Sequence, residues 1–258
     1  VACLACVAAC ATPAAQPDAS RAAFLPGARE TPAAIDEQIA AANAAWQRRN
    51  QPGQVDAALA LYLRAAEADD KRVAGLLGAM RAISFKIERG PSDQRAALAA
   101  QAIDLGTRCQ QRAPGDAACA YQFAIALGQQ AREHPQNAIS TLAHMTALLR
   151  TAIAKSPDLD DAGPHRVLAI VLLRAPPWPL GPGDPDGALA EARAAADIAP
   201  GSADNQLVLG DALAASGAHD DALAAYQRAA AIATDAHDNP DAESLLARAR
   251  AAITRISP

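Results

Sequence analysis

Lysine is nearly missing from this 258-residue chain, which carries only Lys71, Lys86 and Lys155. With Lys+Arg 23 against Asp+Glu 28 the net charge is −5, which excludes a basic face for nucleic acid and a polybasic patch for an anionic membrane surface. Aromatic residues amount to 3%, although hydrophobic residues make up 51%. Alanine supplies the difference, and an alanine-rich core suits closely packed helices rather than strands built on Val, Ile, Phe and Tyr. No apolar run reaches the roughly 20 residues of a membrane-spanning helix. The five histidines, His134, His144, His165, His219 and His237, stand in no H-x3-H or H-E-x-x-H spacing, and neither a Gly-rich phosphate loop nor G-x-S-x-G is present. A non-enzyme without metal or cofactor is therefore expected. The acidic pairs Asp160-Asp161 and Asp220-Asp221 fall at expected helix starts, where carboxylates meet free N–H groups and the helix dipole.

Cysteine is scarce too, and three of the five sit in the opening VACLACVAAC. Residues 1–10 are apolar, small and uncharged, without an initiator Met, and are read as the remnant of a longer signal peptide. The ending Val7-Ala8-Ala9-Cys10 resembles a bacterial lipobox, with Cys10 as the lipidated residue. The rival reading, a cluster site at Cys3, Cys6 and Cys10, lacks a fourth ligand and a polar outer shell. Residues 11–32 carry Pro13, Pro17, Pro26 and Pro32 among small polar residues, a composition that reads as a tether. Lipid plus linker would hold a domain spanning 33–258 at the periplasmic face of a membrane, with Ala11 after the cysteine favouring the outer one.

Proline is confined to turns, and the turns are periodic. Pro114, Pro157 and Pro200 are 43 residues apart, and an acidic turn at Asp69-Asp70-Lys71 lies 43 residues before the first. Each turn separates two alanine-rich helical runs, so the repeating unit is a helix pair. In the last unit Leu209-Gly210, Leu213, Gly217, Ala222, Tyr226 and Ala229 resemble the tetratricopeptide (TPR) pattern. Gly210 and Ala222 are small where two helices meet, Gly217 permits the turn between them, and Tyr226 is expected to fill the gap toward a neighbouring repeat. Ala188, Ala192, Ala195 and Pro200 take the matching positions one unit earlier. Its first helix holds Leu168, 41 residues before Leu209 instead of the family's 34. The excess sits in the loop Ala175–Pro185. Ala102, Gly106, Cys109 and Pro114 end another unit, and Ala58, Tyr62 and Ala65 mark the first, with Trp46 ahead of them. An all-α solenoid of four to five TPR-like pairs follows over about residues 33–234, with a capping helix near 240–256.

The order Gly163-Pro164-His165-Arg166, Pro176-Pro177-Trp178-Pro179, Gly183-Asp184-Pro185 and an alanine-rich helix to Pro200 looks like the TPR lipoproteins related to the T component of TRAP transporters. The resemblance spans about residues 36–256. It implies a periplasmic, lipid-anchored and sometimes oligomeric solenoid that works beside a solute-binding protein. Two functions stay open: a membrane-tethered scaffold for a protein partner, and a carrier of a small hydrophobic or organic-acid ligand.

Cys109 and Cys119 flank the turn at Pro114 and are either a disulfide, in an oxidising compartment, or two reduced buried residues. Arg166 could contact an anionic ligand, but is read first as tying down carbonyls of the proline-rich loop or stacking on Trp178. Trp178, between Pro177 and Pro179, could anchor a partner; a plug on the solenoid is the preferred reading.

Overall fold

The computed structural model describes residues 31–134, 138–236 and 239–256, which places Cys3, Cys6, Cys10 and the tether as far as residue 30 outside the described residues. Among those described, eleven α-helices follow one another without a β-strand. They are α1 (Pro32–Gln47), α2 (Gln54–Ala68), α3 (Ala74–Arg89), α4 (Arg95–Arg112), α5 (Ala117–Glu133), α6 (Ala138–Lys155), α7 (Leu159–Arg174), α8 (Pro185–Ile198), α9 (Ala203–Ala215), α10 (His219–Asp235) and α11 (Ala242–Ile256). Consecutive helices pack as hairpins, and each pair also touches the next through its odd-numbered helices. Five pairs and a capping helix make a TPR-like α-solenoid. No described helix is long and apolar enough to cross a membrane.

Polar residues at several of the turns and at the end of the proline-rich loop start helices. Asp116 accepts from Cys119 N at 2.8 Å, Asp184 from Gly187 N at 3.0 Å and Ser202 from Asn205 N at 3.4 Å, so each supplies one of the bonds missing in a first turn. Thr31 caps α1 in the same way, with Pro32 at its first position. The helical domain thus begins one residue inside the stretch read as tether, since proline's fixed φ suits a helix start.

Alanine does the packing. Ala58, Ala102, Ala188, Ala192, Ala195, Ala222 and Ala229 are fully buried, which lets backbones approach until one large residue fills each remaining gap. In the last pair that residue is Tyr226: a Cβ at position 210 would stand 2.4 Å from its ring, so only glycine fits at Gly210. The Tyr226 ring packs against Gly210 of α9, its hydroxyl donates to Asp211 Oδ1 on that same helix at 2.8 Å, and Arg255 of the neighbouring α11 reaches the hydroxyl at 3.4 Å. Gly217, at φ 83, makes the turn into α10, a backbone conformation that costs other residues energy.

Cys109 at the end of α4 and Cys119 at the start of α5 are bonded, with S–S 1.95 Å and Cα–Cα 5.5 Å, and both are fully buried. Closing a loop of 10 residues limits the unfolded chain by about 2–3 kcal/mol. Protein exported to an oxidising compartment is expected to melt at a temperature several degrees higher without reductant than with it, and Cys109→Ala with Cys119→Ala should abolish that difference. A melting curve indifferent to reductant would mean that the thiols are free in solution.

The start of α7 departs from the sequence reading. Asp160, Asp161 and Ala162 have φ of 51, 53 and 61, a left-handed turn, so the carboxylates of Asp160 and Asp161 do not cap a right-handed helix. Each such residue costs about 1–2 kcal/mol, and hydrogen bonds offset it. Tyr121 donates to Asp160 Oδ2 at 2.8 Å, Arg166 Nη1 reaches the Asp161 carbonyl at 3.3 Å, and Asn205 Nδ2 donates to that same carbonyl at 2.8 Å. Burial first, and then the Asp160 carboxylate, push the Tyr121 phenol far above its usual pKa, which keeps it a donor.

Candidate functional site

The odd-numbered helices line the inside of the solenoid: α1 meets α3, then α5, α7, α9 and α11 in turn. The circuit closes. Asp241, just before α11, accepts from Arg49 Nη2 after α1 and from Arg89 Nη2 at the end of α3, both at 2.8 Å. Asn50 Nδ2 also donates to the Pro240 carbonyl. First and last repeats, about 190 residues apart in the chain, thus border an open-sided cavity of about 930 Å³.

Its wall alternates apolar and charged groups. Trp46 and Phe85 meet edge to face at 5.7 Å. The guanidinium groups of Arg49 and Arg81 lie over Trp46 at 4.9 and 4.8 Å, and that of Arg89 over Phe85 at 4.7 Å, contacts held by the ring quadrupole. Across from them Ile125, Met145, Ile170 and Leu245 supply aliphatic surface. Three carboxylates on the wall are each paired: Glu88 with Arg132 at 2.5 Å, Asp204 with Arg248 at 2.8 Å, and Asp241 with Arg89. Gln129, only 5% exposed, accepts from Ser84 Oγ at 3.4 Å.

Asp241→Asn is expected to release this closure, because an amide accepts two guanidinium groups far less well than a carboxylate. The stability change should stay near about 1 kcal/mol, as both pairs are partly solvated. Amide exchange in the first turn of α11 should rise while that of α9 and α10 stays level. Unchanged exchange in α11 would assign the closure to the packing of Leu245 alone.

Arg166 and Trp178 are elsewhere. Arg166 Nη1 donates to Asn205 Oδ1 at 2.8 Å and reaches the carbonyls of Asp160 and Asp161, so it ties down the left-handed turn of the fourth helix pair and not the proline-rich loop. That loop satisfies itself: Gly183 N bonds the Pro176 carbonyl at 2.9 Å, Leu180 N that of Pro177 at 3.0 Å, and Asp184 N that of Leu172 at 2.9 Å. The carbonyls of Pro176 and Pro177 are thus taken by the loop's own backbone donors, not by a guanidinium. Trp178 is 85% exposed and therefore plugs nothing; Pro177 and Pro179 are exposed beside it. Only Ala175 and Pro176, at the start of the loop, border the cavity. Gly210, Ala222, Tyr226 and Ala229 belong to the packing between α9 and α10, and among the described residues no three His, Cys, Asp or Glu gather as metal ligands.

Sequence reading missed the cavity residues, although one signal for them was present. The pairs Glu88–Arg132 and Asp204–Arg248 are each 44 residues apart, close to the proline period, so charges of opposite sign at the repeat spacing mark neighbours on the inner wall.

A solved structure of TTC0263, a thermophilic TPR protein of Thermus thermophilus, is 19% identical to this chain; the match covers 85% of this chain and 99% of that one at a TM-score of 0.66. YrrB, described as a TPR protein with an unusual peptide-binding site, is 20% identical over 85% of this chain and 96% of its own, at TM-score 0.47. MamA is 19% identical over 77% and 91%, at TM-score 0.48. No family model and no curated protein matches the sequence. The likeness to TTC0263 shows the fold: this chain is a TPR-type α-solenoid.

Proposed function

We propose that the protein is a non-enzymatic scaffold, tethered through a lipid on Cys10 to the periplasmic face of a bacterial membrane, which holds a segment of a protein partner inside its solenoid. The observation that carries this reading is the concave wall, where aromatic, aliphatic and guanidinium groups converge from α1, α3, α5, α7 and α11. Such mixed concave surfaces are what repeat stacks offer a partner. The lipobox-like Val7-Ala8-Ala9-Cys10 and the proline-rich stretch after it support the tether.

A photo-crosslinking amino acid at Phe85 or Leu245 in the native host is expected to give discrete protein adducts, and the same group at Ile198, on the exposed outer surface, none. Cys10→Ser should move the protein from the membrane to the soluble fraction. Adducts from Ile198 but not from the two inner positions would place the partner outside the solenoid. The second reading, carriage of a small hydrophobic or organic-acid ligand beside a TRAP transporter and its solute-binding protein, draws on the same cavity, whose volume lies within the range of small-molecule sites.

A further inference from the structure

We propose that the segment held in the cavity is an extended peptide that alternates carboxylates with aliphatic side chains; this rests on the scaffold reading and specifies the partner. Charge is the first ground. The chain as a whole is acidic, at −5, yet five arginines border the cavity against three carboxylates. Those three are consumed by Arg89, Arg132 and Arg248. Arg81 on α3 and Arg174 at the end of α7 pair with no carboxylate among the described residues. Arg81 donates only to the Tyr62 hydroxyl, at 3.0 Å, and lies on Trp46. A concave wall of one excess sign concentrates ions of the other, and a guanidinium without a carboxylate partner offers donors to one. The two stand on helices separated by α5, so an occupant that meets both carries its negative charges apart, not at one end.

Main-chain chemistry is the second ground. Gln129 is nine-tenths buried and borders the cavity. Its Oε1 accepts from Ser84 at 3.4 Å. A carboxamide on the wall suits main-chain groups, and a peptide supplies one carbonyl and one N–H at almost every residue. An acyl chain supplies none beyond its head group. The apolar wall is also interrupted by the pairs Glu88–Arg132 and Asp204–Arg248. A hydrocarbon tail laid across them would strip water from charges and return no hydrogen bond, whereas a peptide backbone can donate and accept there. Between these points Phe85, Ile125, Met145 and Leu245 take alternate apolar side chains, which in an extended segment project from one face.

The test uses the full chain and three fluorescein-labelled, C-amidated peptides made of four repeats of Glu-Leu, Gln-Leu or Lys-Leu, read by anisotropy. The Glu-Leu peptide is expected to bind at least about tenfold tighter than Lys-Leu, and its affinity to fall severalfold as salt rises from low to physiological strength. Arg81→Gln and Arg174→Gln should each weaken it about five- to tenfold, while Arg150→Gln, on α6 away from the cavity, leaves it unchanged. Arg174 makes no hydrogen bond or ion pair among the described residues, so its replacement reports on binding even if loss of Arg81 disturbs Trp46. Equal affinity for Glu-Leu and Gln-Leu, with crosslinks still formed at Phe85, would overturn the acidic segment and keep the scaffold. Displacement of the peptide by dodecanoate, with the same dependence on Arg81 and Arg174 and no crosslinked protein, would overturn both in favour of a small-ligand carrier. Absence of binding by all three peptides also overturns the inference.

Discussion

Asn205→Leu is expected to lower the free energy of unfolding by about 3–4 kcal/mol, although the two side chains differ little in volume. Asn205 is completely buried at the junction of α7, α8 and α9. Its Nδ2 donates to the carbonyls of Asp161 at 2.8 Å and Ala195 at 2.9 Å, and its Oδ1 accepts from Arg166 at 2.8 Å. Leucine removes three hydrogen bonds at once in surroundings that admit little water, at about 1–1.5 kcal/mol each, although Ala199 N still reaches the Ala195 carbonyl and Arg166 still reaches that of Asp161. The left-handed turn at 160–162 loses one of its clamps at the same time. Asn205→Asp separates the parts: it keeps an acceptor for Arg166 and loses both donors, so it should fall between parent and leucine variant. Equilibrium denaturation in urea checks the series, and a loss under about 1 kcal/mol for Asn205→Leu would mean that water takes over the carboxamide's bonds.

Tyr226→Ala should cost about 3–5 kcal/mol, the range for a fully packed aromatic side chain. Here the cavity left behind cannot collapse easily, because Gly210 opposite has no side chain to move into it. Tyr226→Phe keeps the ring and isolates the hydroxyl. Burial first, and then the bond to Asp211, push that phenol up to about 12, against about 10 in an unfolded chain. A raised folded value favours the neutral form on folding. Its contribution is therefore fully present below about pH 10 and is lost as pH rises through about 12. Tyr121 shifts in the same direction for the same leading cause. The denaturation midpoint of the parent should fall over that window, and Tyr226→Phe should flatten part of the fall. An equally steep fall in the phenylalanine variant would assign the pH dependence to other groups.

The helices and their pairing were legible because they depend on local rules. Pro32, Pro185, Asp116, Asp184 and Ser202 act on the backbone within three residues of themselves, and the 43-residue spacing of the turns fixes the repeat. Trp178 was misread for a related reason. Four neighbouring prolines show where a chain cannot be helical, but they do not show which way a ring points. The loop closes on its own carbonyls and leaves the indole in solvent. Arg166 was rightly singled out as a tie between carbonyls, and its partners were assigned wrongly, since they include Asn205, 39 residues away.

Sequence alone determined that this chain is an all-α, TPR-like stack with a capping helix, because alanine content, turn chemistry and repeat period each act locally or between adjacent units. Only the tertiary structure decided that the stack closes on itself. Asp241 meets Arg49 and Arg89 through the accumulated rotation of five helix pairs, a sum of small packing angles that no single repeat encodes. The same rotation brings Trp46, Arg81, Gln129 and Arg174 from distant repeats to one cavity, where their surplus positive charge stands inside a negatively charged molecule.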